Sequence, residues 1–128
     1  KHQNIVRKYQ SVIHCLNVHQ LPEMLEYFMS VNDSPMRRFE LHTIVTRPYL
    51  GTHIVPNEIL EVVGNKLTDM MPLFRGEEIE NVTNAIKHIK YSMNNKNESD
   101  EANFKKFVNT FSPIKKLDYQ SYLPWSIK

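Results

Sequence analysis

Residues 77–91, with the sequence EEIENVTNAIKHIKY, carry the clearest secondary-structure signal in the chain. Apolar side chains recur there at spacings of three and four, which places them on one face of an α-helix. The stretch opens with glutamates and closes with lysine and histidine residues, an arrangement that complements the helix dipole. We therefore predict a helix over these residues and extend the same reasoning outward along the chain.

Five further segments are predicted as helices from periodicity and start signals. They are residues 5–16, a helix beginning at Pro22, residues 36–47, residues 56–71 and a helix capped by Ser99. Residues 36–47 are ambiguous, because the run His42-Thr43-Ile44-Val45-Thr46 is β-branched and also suits a strand. We favour a helix there, since no neighbouring segment offers a convincing partner strand.

The composition supports a helical fold in one domain. The chain has 128 residues, which fits a single domain, and only three glycines, fewer than an all-β fold with many tight turns usually needs. We predict an all-α fold of five to six short helices in a small bundle or an irregular helical array. Residues 1–112 form the single helical domain, and residues 113–128 form an extended aromatic tail.

Charge and cysteine content exclude several classes of protein. The net charge of +2 is spread evenly along the chain, which argues against a nucleic-acid-binding arm or a polybasic membrane anchor. Cys15 is the only cysteine, so neither an internal disulfide nor a cysteine-rich zinc site is possible. A single cysteine also suggests an intracellular location. No stretch approaches the roughly 20 apolar residues of a transmembrane helix.

The histidines do not form a recognisable catalytic or metal-binding motif. His14 and Cys15 are adjacent on a predicted helix and point about 100° apart, which does not suit activation of a nucleophile. His14 and His19 lack the four-residue spacing of zinc ligands on one helix face. His42 and His53 flank a bend, but nothing in the sequence brings them together. We expect no catalytic residues, no metal and no cofactor.

Partner binding is the functional expectation that remains, and two segments carry it. Arg37, Arg38 and Arg47 form the densest arginine group. They suit contact with lipid phosphate, RNA phosphate or acidic residues of a partner, or else they form a solvated helix face. In the tail, the candidate anchors are Tyr119, Tyr122 and Trp125, because tyrosine and tryptophan are favoured at interfaces. The tail either docks on another chain or folds back on the domain.

The middle of the chain resembles subunit 7 of the mitochondrial cytochrome bc1 complex, a small matrix-side subunit. Residues 37–41 (RRFEL) stand where that family has its arginine helix, and residues 54–58 (IVPNE) resemble its Ile-Leu-Pro-Lys-Glu motif. Residues 70–74 (MMPLF) resemble its second proline motif, and Pro56 and Pro72 are spaced as in the family. The resemblance covers roughly residues 36–75.

The resemblance implies a non-catalytic accessory subunit of a respiratory complex, peripheral on the matrix side of the inner mitochondrial membrane. Such a subunit would support assembly, contact cytochrome b and phospholipid, and carry no redox centre. On this reading we expect the isolated chain to expose Trp125. The alternative is a helical RNA-associated protein, such as a component of the mitochondrial ribosome, although the even charge distribution makes nucleic acid the weaker partner.

Overall fold

The computed structural model describes residues 8–32, 37–44, 46–115 and 118–127. Within them the chain is mostly helical, with 67% helix and 10% strand. Two strands are present, β1 (Lys8–Ile13) and β2 (Arg38–Thr43). The helices are α1 (Leu21–Val31), α2 (Asn57–Met70), α3 (Glu77–Met93), α4 (Glu98–Lys115) and the short α5 (Tyr119–Tyr122). The predicted helical character is confirmed, but the fold is not strictly all-α.

The two strands replace two predicted helices. β1 and β2 pair in parallel, with Tyr9 opposite Phe39 and Ile13 opposite Thr43. The helix predicted over residues 5–16 is therefore wrong for Lys8–Ile13, and residues 5–7 lie outside the described part of the chain. The helix predicted over residues 36–47 is wrong for Arg38–Thr43; residues 36 and 45 likewise lie outside the description. The partner strand of this region is β1, which lies 30 positions upstream in the sequence.

An aromatic cluster joins the inner face of the sheet to the helices. The Phe39 ring is 2% exposed and lies between Phe28 of α1 and Phe74, with ring centroids 6.1 and 5.7 Å away. Tyr9 extends the cluster, with its ring 5.4 Å from Phe28. On the other face, Val12 is 48% exposed. This alternation along β1 is the period of a strand that is buried on one side.

Helices α2 and α3 form the main helical layer, and both confirm the sequence prediction. α2 begins directly after Pro56 and ends before Pro72. Its buried residues, such as Leu60 and Leu67, belong to the same core as Val82 and Ile89 of α3. α3 in turn lies against β2, where the Leu41 amide donates to the Asn81 side chain over 3.2 Å. The sheet is thereby held at the first half of α3.

α4 packs on the turn formed by residues 48–54. Phe104 is 2% exposed, and the Phe107 ring lies 5.7 Å from Tyr49. α4 continues through Pro113 to Lys115, and α5 follows. The extended geometry predicted from residue 113 onward is therefore wrong for residues 113–115 and 119–122. A proline near the end of a helix removes only one backbone hydrogen bond, so it need not end the helix at once.

Candidate partner-binding surfaces

Arg37 forms a buried ion pair rather than a free cationic site. Its Nε donates to Glu78 Oε2 over 2.8 Å, and a terminal nitrogen donates to Glu78 Oε1 and to the Leu73 carbonyl, both over 3.1 Å. The two side chains are only 9% and 4% exposed. Because this pair joins the start of β2 to the start of α3, Arg37 has an internal, structural role.

Arg38, the next residue, is exposed and lines a cleft of about 410 Å³ between the start of β2 and the first turn of α3. We call it the arginine cleft. Its lining residues are Arg37, Arg38, Phe39, Arg75, Gly76, Glu77 and Glu78. Arg47 is exposed beside the turn at Pro48 and does not line the cleft. The structure thus brings two of the three predicted arginines together and adds Arg75, which sequence reasoning missed.

The C-terminal segment contacts its own domain. Leu123 is 6% exposed, and the Trp125 ring lies 5.7 Å from Phe104 of α4. The Tyr122 hydroxyl donates to Gln20 Oε1 over 2.7 Å, although Tyr122 remains 48% exposed. The Tyr119 side chain lies outside the described part of the structure. Within one chain, the tail therefore folds back at Leu123 and Trp125. Trp125 is partly buried, whereas we expected the isolated chain to expose it.

The Trp125 indole is not fully satisfied in this position. Its Nε1 is buried and has no hydrogen-bond partner among the described residues. A buried donor without an acceptor costs about 1–3 kcal/mol, so the packing of the tail is less favourable than its apolar contacts suggest.

An apolar groove of about 410 Å³ lies between β1 and α1, and we call it the α1 groove. Its lining residues are Tyr9, Gln20, Glu23, Met24, Tyr27, Phe28 and Val31. Tyr27 is 70% exposed and Val31 is 52% exposed, so both present apolar surface to solvent. Sequence reasoning assigned the apolar face of α1 to its buried side and missed this second stripe. The signal was available in the helical spacing of Met24, Tyr27 and Val31.

Cys15 and the N-terminal histidines do not form a nucleophilic centre. Cys15 is completely buried, and burial raises the pKa of its thiol to about 12. The thiol is therefore protonated near neutral pH and unreactive. His14 Nδ1 accepts a hydrogen bond from the Leu16 amide, which fixes its ring away from such a role. His14 and Cys15 lie in the loop and turn that follow β1, not on the helix that the sequence predicted for them.

His42 and His53 lie beside different carboxylates. His42 Nε2 is 3.3 Å from Glu40 Oε2, on the outer face of the sheet. His53 Nε2 is 2.8 Å from Asp100 Oδ2 and so joins the turn at residues 52–54 to the start of α4. Each contact is sufficient to explain the position of its ring.

A buried polar network near the end of α3 was not predicted. Thr52 Oγ1 is within hydrogen-bond distance of His88 Nε2, 2.9 Å away, and of the Ser92 hydroxyl. Burial, with a smaller contribution from the nearby charge of His53, lowers the pKa of His88. Thr52 and Ser92 are 1% and 2% exposed, so their hydroxyl groups cannot reach a substrate. The network therefore holds the turn against α3.

Among the residues that the structure describes, no group of three or more histidine, cysteine, aspartate or glutamate side chains is placed to hold a metal ion. No helix in those same ranges is both long enough and apolar enough to span a bilayer.

The chain matches no protein-family model, and no curated protein sequence or solved structure shows significant similarity to it.

Proposed function

We propose that this protein is a non-catalytic accessory subunit that binds a larger partner through the α1 groove. The observation that carries the proposal is the exposure of Tyr27 and Val31 beside this groove. Half-exposed and largely exposed apolar side chains that border one concave surface are typical of a protein interaction site. Tyr27 is the best candidate anchor, because a large aromatic side chain adds much contact area on binding.

The charge of α1 indicates the chemistry of the partner. Residues 21–31 contain two acidic residues, Glu23 and Glu26, and no basic one. Both are exposed, and Glu23 lines the groove. Electrostatic complementarity therefore favours a partner segment that carries lysine or arginine beside its apolar anchors. We commit to such a basic, amphipathic segment of another protein as the occupant.

The specific host that we propose is the matrix side of the mitochondrial bc1 complex, with cytochrome b as a neighbour. Support comes from the placement of α2 between Pro56 and Pro72, as the resemblance implies. The strand at Arg38 counts against it, because the family has a helix in that place. Contact with phospholipid and a peripheral position at the inner membrane belong to this same proposal.

The test compares two exposed tyrosines on helices. Tyr27 and Tyr91 are 70% and 62% exposed, and only Tyr27 lines the groove. We expect the native chain to migrate in a complex much larger than its 15.2 kDa. Tyr27→Asp should release the chain as a monomer, whereas Tyr91→Asp should leave the complex intact. Unchanged migration of Tyr27→Asp, or a wild-type chain that is always monomeric, would refute the proposal.

The identity of the host is read from the same sample. Co-migration of the wild-type chain with cytochrome b, lost in Tyr27→Asp, would support the bc1 assignment. If the complex instead dissociates on ribonuclease treatment, the RNA-associated alternative is favoured. In that case we expect Arg38→Ala to weaken RNA binding and to reduce its salt dependence.

A further inference from the structure

We infer that the partner binds in an extended conformation and adds a third strand beside β1. The inference rests on the proposed function, since it specifies how the occupant of the α1 groove is held. It starts from the sheet, which has two strands in the described part of the chain and therefore two outer edges. Unpaired backbone groups at such an edge can bind another extended chain.

The outer edge of β2 is already covered by a helix. The Leu41 amide points away from β1 and donates to Asn81 Oδ1 of α3 over 3.2 Å. α3 packs against this strand, so it occupies the position that a further strand would need. The edge that can accept a strand is therefore that of β1.

The register of the sheet shows which backbone groups of β1 face outward. The Ile44 amide donates to the Ile13 carbonyl over 3.2 Å, so the backbone of Ile13 faces β2. Because the hydrogen-bonding groups of successive residues in a strand point to opposite edges, those of Gln10 and Val12 face away from β2. The Val12 carbonyl accepts from the Asn17 side chain over 2.8 Å. The Gln10 amide, the Gln10 carbonyl and the Val12 amide have no partner among the described residues.

The edge of β1 lacks the features that commonly prevent pairing. Exposed edges are often protected by proline, by a bulge or by charged side chains. β1 contains no proline, its register with β2 is continuous from Lys8 to Ile13, and residues 9–13 (YQSVI) carry no charge. Gln10 is exposed and Val12 is 48% exposed, so an approaching chain would meet an accessible strand.

The outer edge of β1 and the α1 groove lie on the same side of the domain. Tyr9 of β1 and residues 20–31 line the groove, and β2 contributes no lining residue. The Tyr9 side chain lies on the inner face of the sheet, against Phe28 of α1. Side chains alternate between the two faces along an added strand, so every second one would point into the groove while the backbone pairs with Gln10. One ligand can therefore use both features.

The groove and the edge together define the partner segment. The edge from Lys8 to Val12 pairs with about five residues. Alternate positions of that segment should be apolar and β-branched, because they fill the groove and suit a strand. Lysine or arginine beside them would face the exposed carboxylates of Glu23 and Glu26. The occupant is thus a short, basic strand of another protein, whereas a helix would leave the edge unpaired.

The first experiment compares amide hydrogen exchange in the isolated full chain and in the native complex, resolved to single residues by mass spectrometry. We expect the Gln10 and Val12 amides to exchange rapidly in the isolated chain and at least about tenfold more slowly in the complex. The Ser11 amide is the internal control, because it faces β2 and should be protected in both states.

The second experiment uses Gln10→Pro and Gln10→Ala as a matched pair. Both variants lose the Gln10 side chain, which donates to Glu40 Oε2, but only proline removes the outward amide. We expect at least about fivefold less Gln10→Pro than Gln10→Ala in the complex. Equal circular dichroism spectra and urea midpoints of the two isolated variants would show that proline leaves the fold intact. If it does not, the exchange experiment decides alone.

These results separate the inference from the proposed function. If Tyr27→Asp releases the chain, but Gln10→Pro remains bound and exchange at Gln10 is unchanged, the proposed function stands and the added strand is refuted. A helical partner would give that result. Retention of both variants in the complex would refute both proposals.

The isolated chain provides two further outcomes that would overturn the added strand. Slow exchange of the Gln10 amide at every concentration would mean that the edge is already paired within the chain. Protection that appears only as the concentration rises would assign the edge to a second copy of the chain instead of another protein.

Discussion

Gly64 occupies the middle of α2 without any structural need for glycine. A Cβ atom at this position would lie 3.8 Å from Cγ2 of Ile89, which is ordinary van der Waals contact. Alanine in a helix interior is favoured over glycine by about 1 kcal/mol. We expect Gly64→Ala to raise the free energy of unfolding by about 0.5–1 kcal/mol, measured by urea denaturation.

Gly76 provides the opposite case and serves as the control. Its φ of 59° is a backbone conformation that residues with a Cβ atom rarely adopt. No other atom lies within 4 Å of the position that a Cβ would take there. Gly76→Ala should therefore lower the free energy of unfolding by about 1–2 kcal/mol, from backbone strain alone. A change of the same sign in both variants would contradict these conformations.

The ion pair between Arg37 and Glu78 makes the stability depend strongly on one residue. Arg37→Met would leave the Glu78 carboxylate buried without its counter-charge, at a cost of about 3–5 kcal/mol. Adding Glu78→Leu should recover most of that loss, because a buried ion pair and an apolar pair of similar volume are often equally stable. Arg38→Met, at the exposed neighbour, should change the free energy of unfolding by no more than about 0.5 kcal/mol. The free energies of unfolding of wild type, the two single variants and the double variant, measured by chemical denaturation, test this prediction.

At the scale of elements, the packing of the tail on α4 can be measured through its only tryptophan. Trp125→Ala should lower the free energy of unfolding by about 1–3 kcal/mol, less than the roughly 3–5 kcal/mol of a fully buried aromatic residue. Trp125→Phe should stay within about 1 kcal/mol of wild type, because it removes an indole N–H that has no acceptor among the described residues, along with some contact area. If Trp125→Ala left the free energy of unfolding unchanged, the tail would not pack against Phe104 in solution.

The helices α1 to α4 could be predicted from sequence, because their signals are local. Each of these helices has glutamate in its first turn and apolar residues at spacings of three and four. The strands could not be assigned in this way. Tyr9, Val12 and Ile13 satisfy both a helical spacing and, in part, the alternation of a strand. What decides between them is pairing with β2, 30 residues away, and no local pattern contains that information.

The same difference between local and nonlocal signals applies to the candidate sites. Arg37 and Arg38 were found because they are adjacent in sequence, but only the fold shows that one is buried and the other exposed. Arg75 joins them from a different element, and its sequence neighbours gave no hint of this position. The Thr52–Ser92 contact likewise joins hydroxyl groups 40 residues apart.

For the whole molecule, three partly buried histidines predict a loss of stability in mild acid. Burial lowers the pKa of His14, His19 and His88 in the folded chain below the ordinary value of 6.5. As the pH falls through about 6.5, the unfolded chain therefore takes up protons first and is favoured. The free energy of unfolding should therefore decrease as the pH falls from about 6.5 to the lower pKa values that these histidines have in the folded chain.

The contribution of His88 can be separated by substitution. His88→Asn should reduce the slope of the free energy of unfolding against pH between about pH 7 and 5. His42→Asn is the matched control, because the His42 ring is 58% exposed on the outer face of the sheet. Urea denaturation at several pH values gives the slopes. Equal slopes in wild type and His88→Asn would contradict the assignment.

The parallel pairing of β1 with β2 has a consequence for the order of folding. Contacts between α2 and α3 join neighbouring segments, whereas β1 must close a loop that contains all of α1 before its first strand contact forms. Loop closure of this kind slows nucleation, and nonlocal pairings form late in many small domains. The helical layer is therefore the natural folding nucleus. The N-terminal strand, although synthesised first, would be among the last parts of the chain to acquire its native partners.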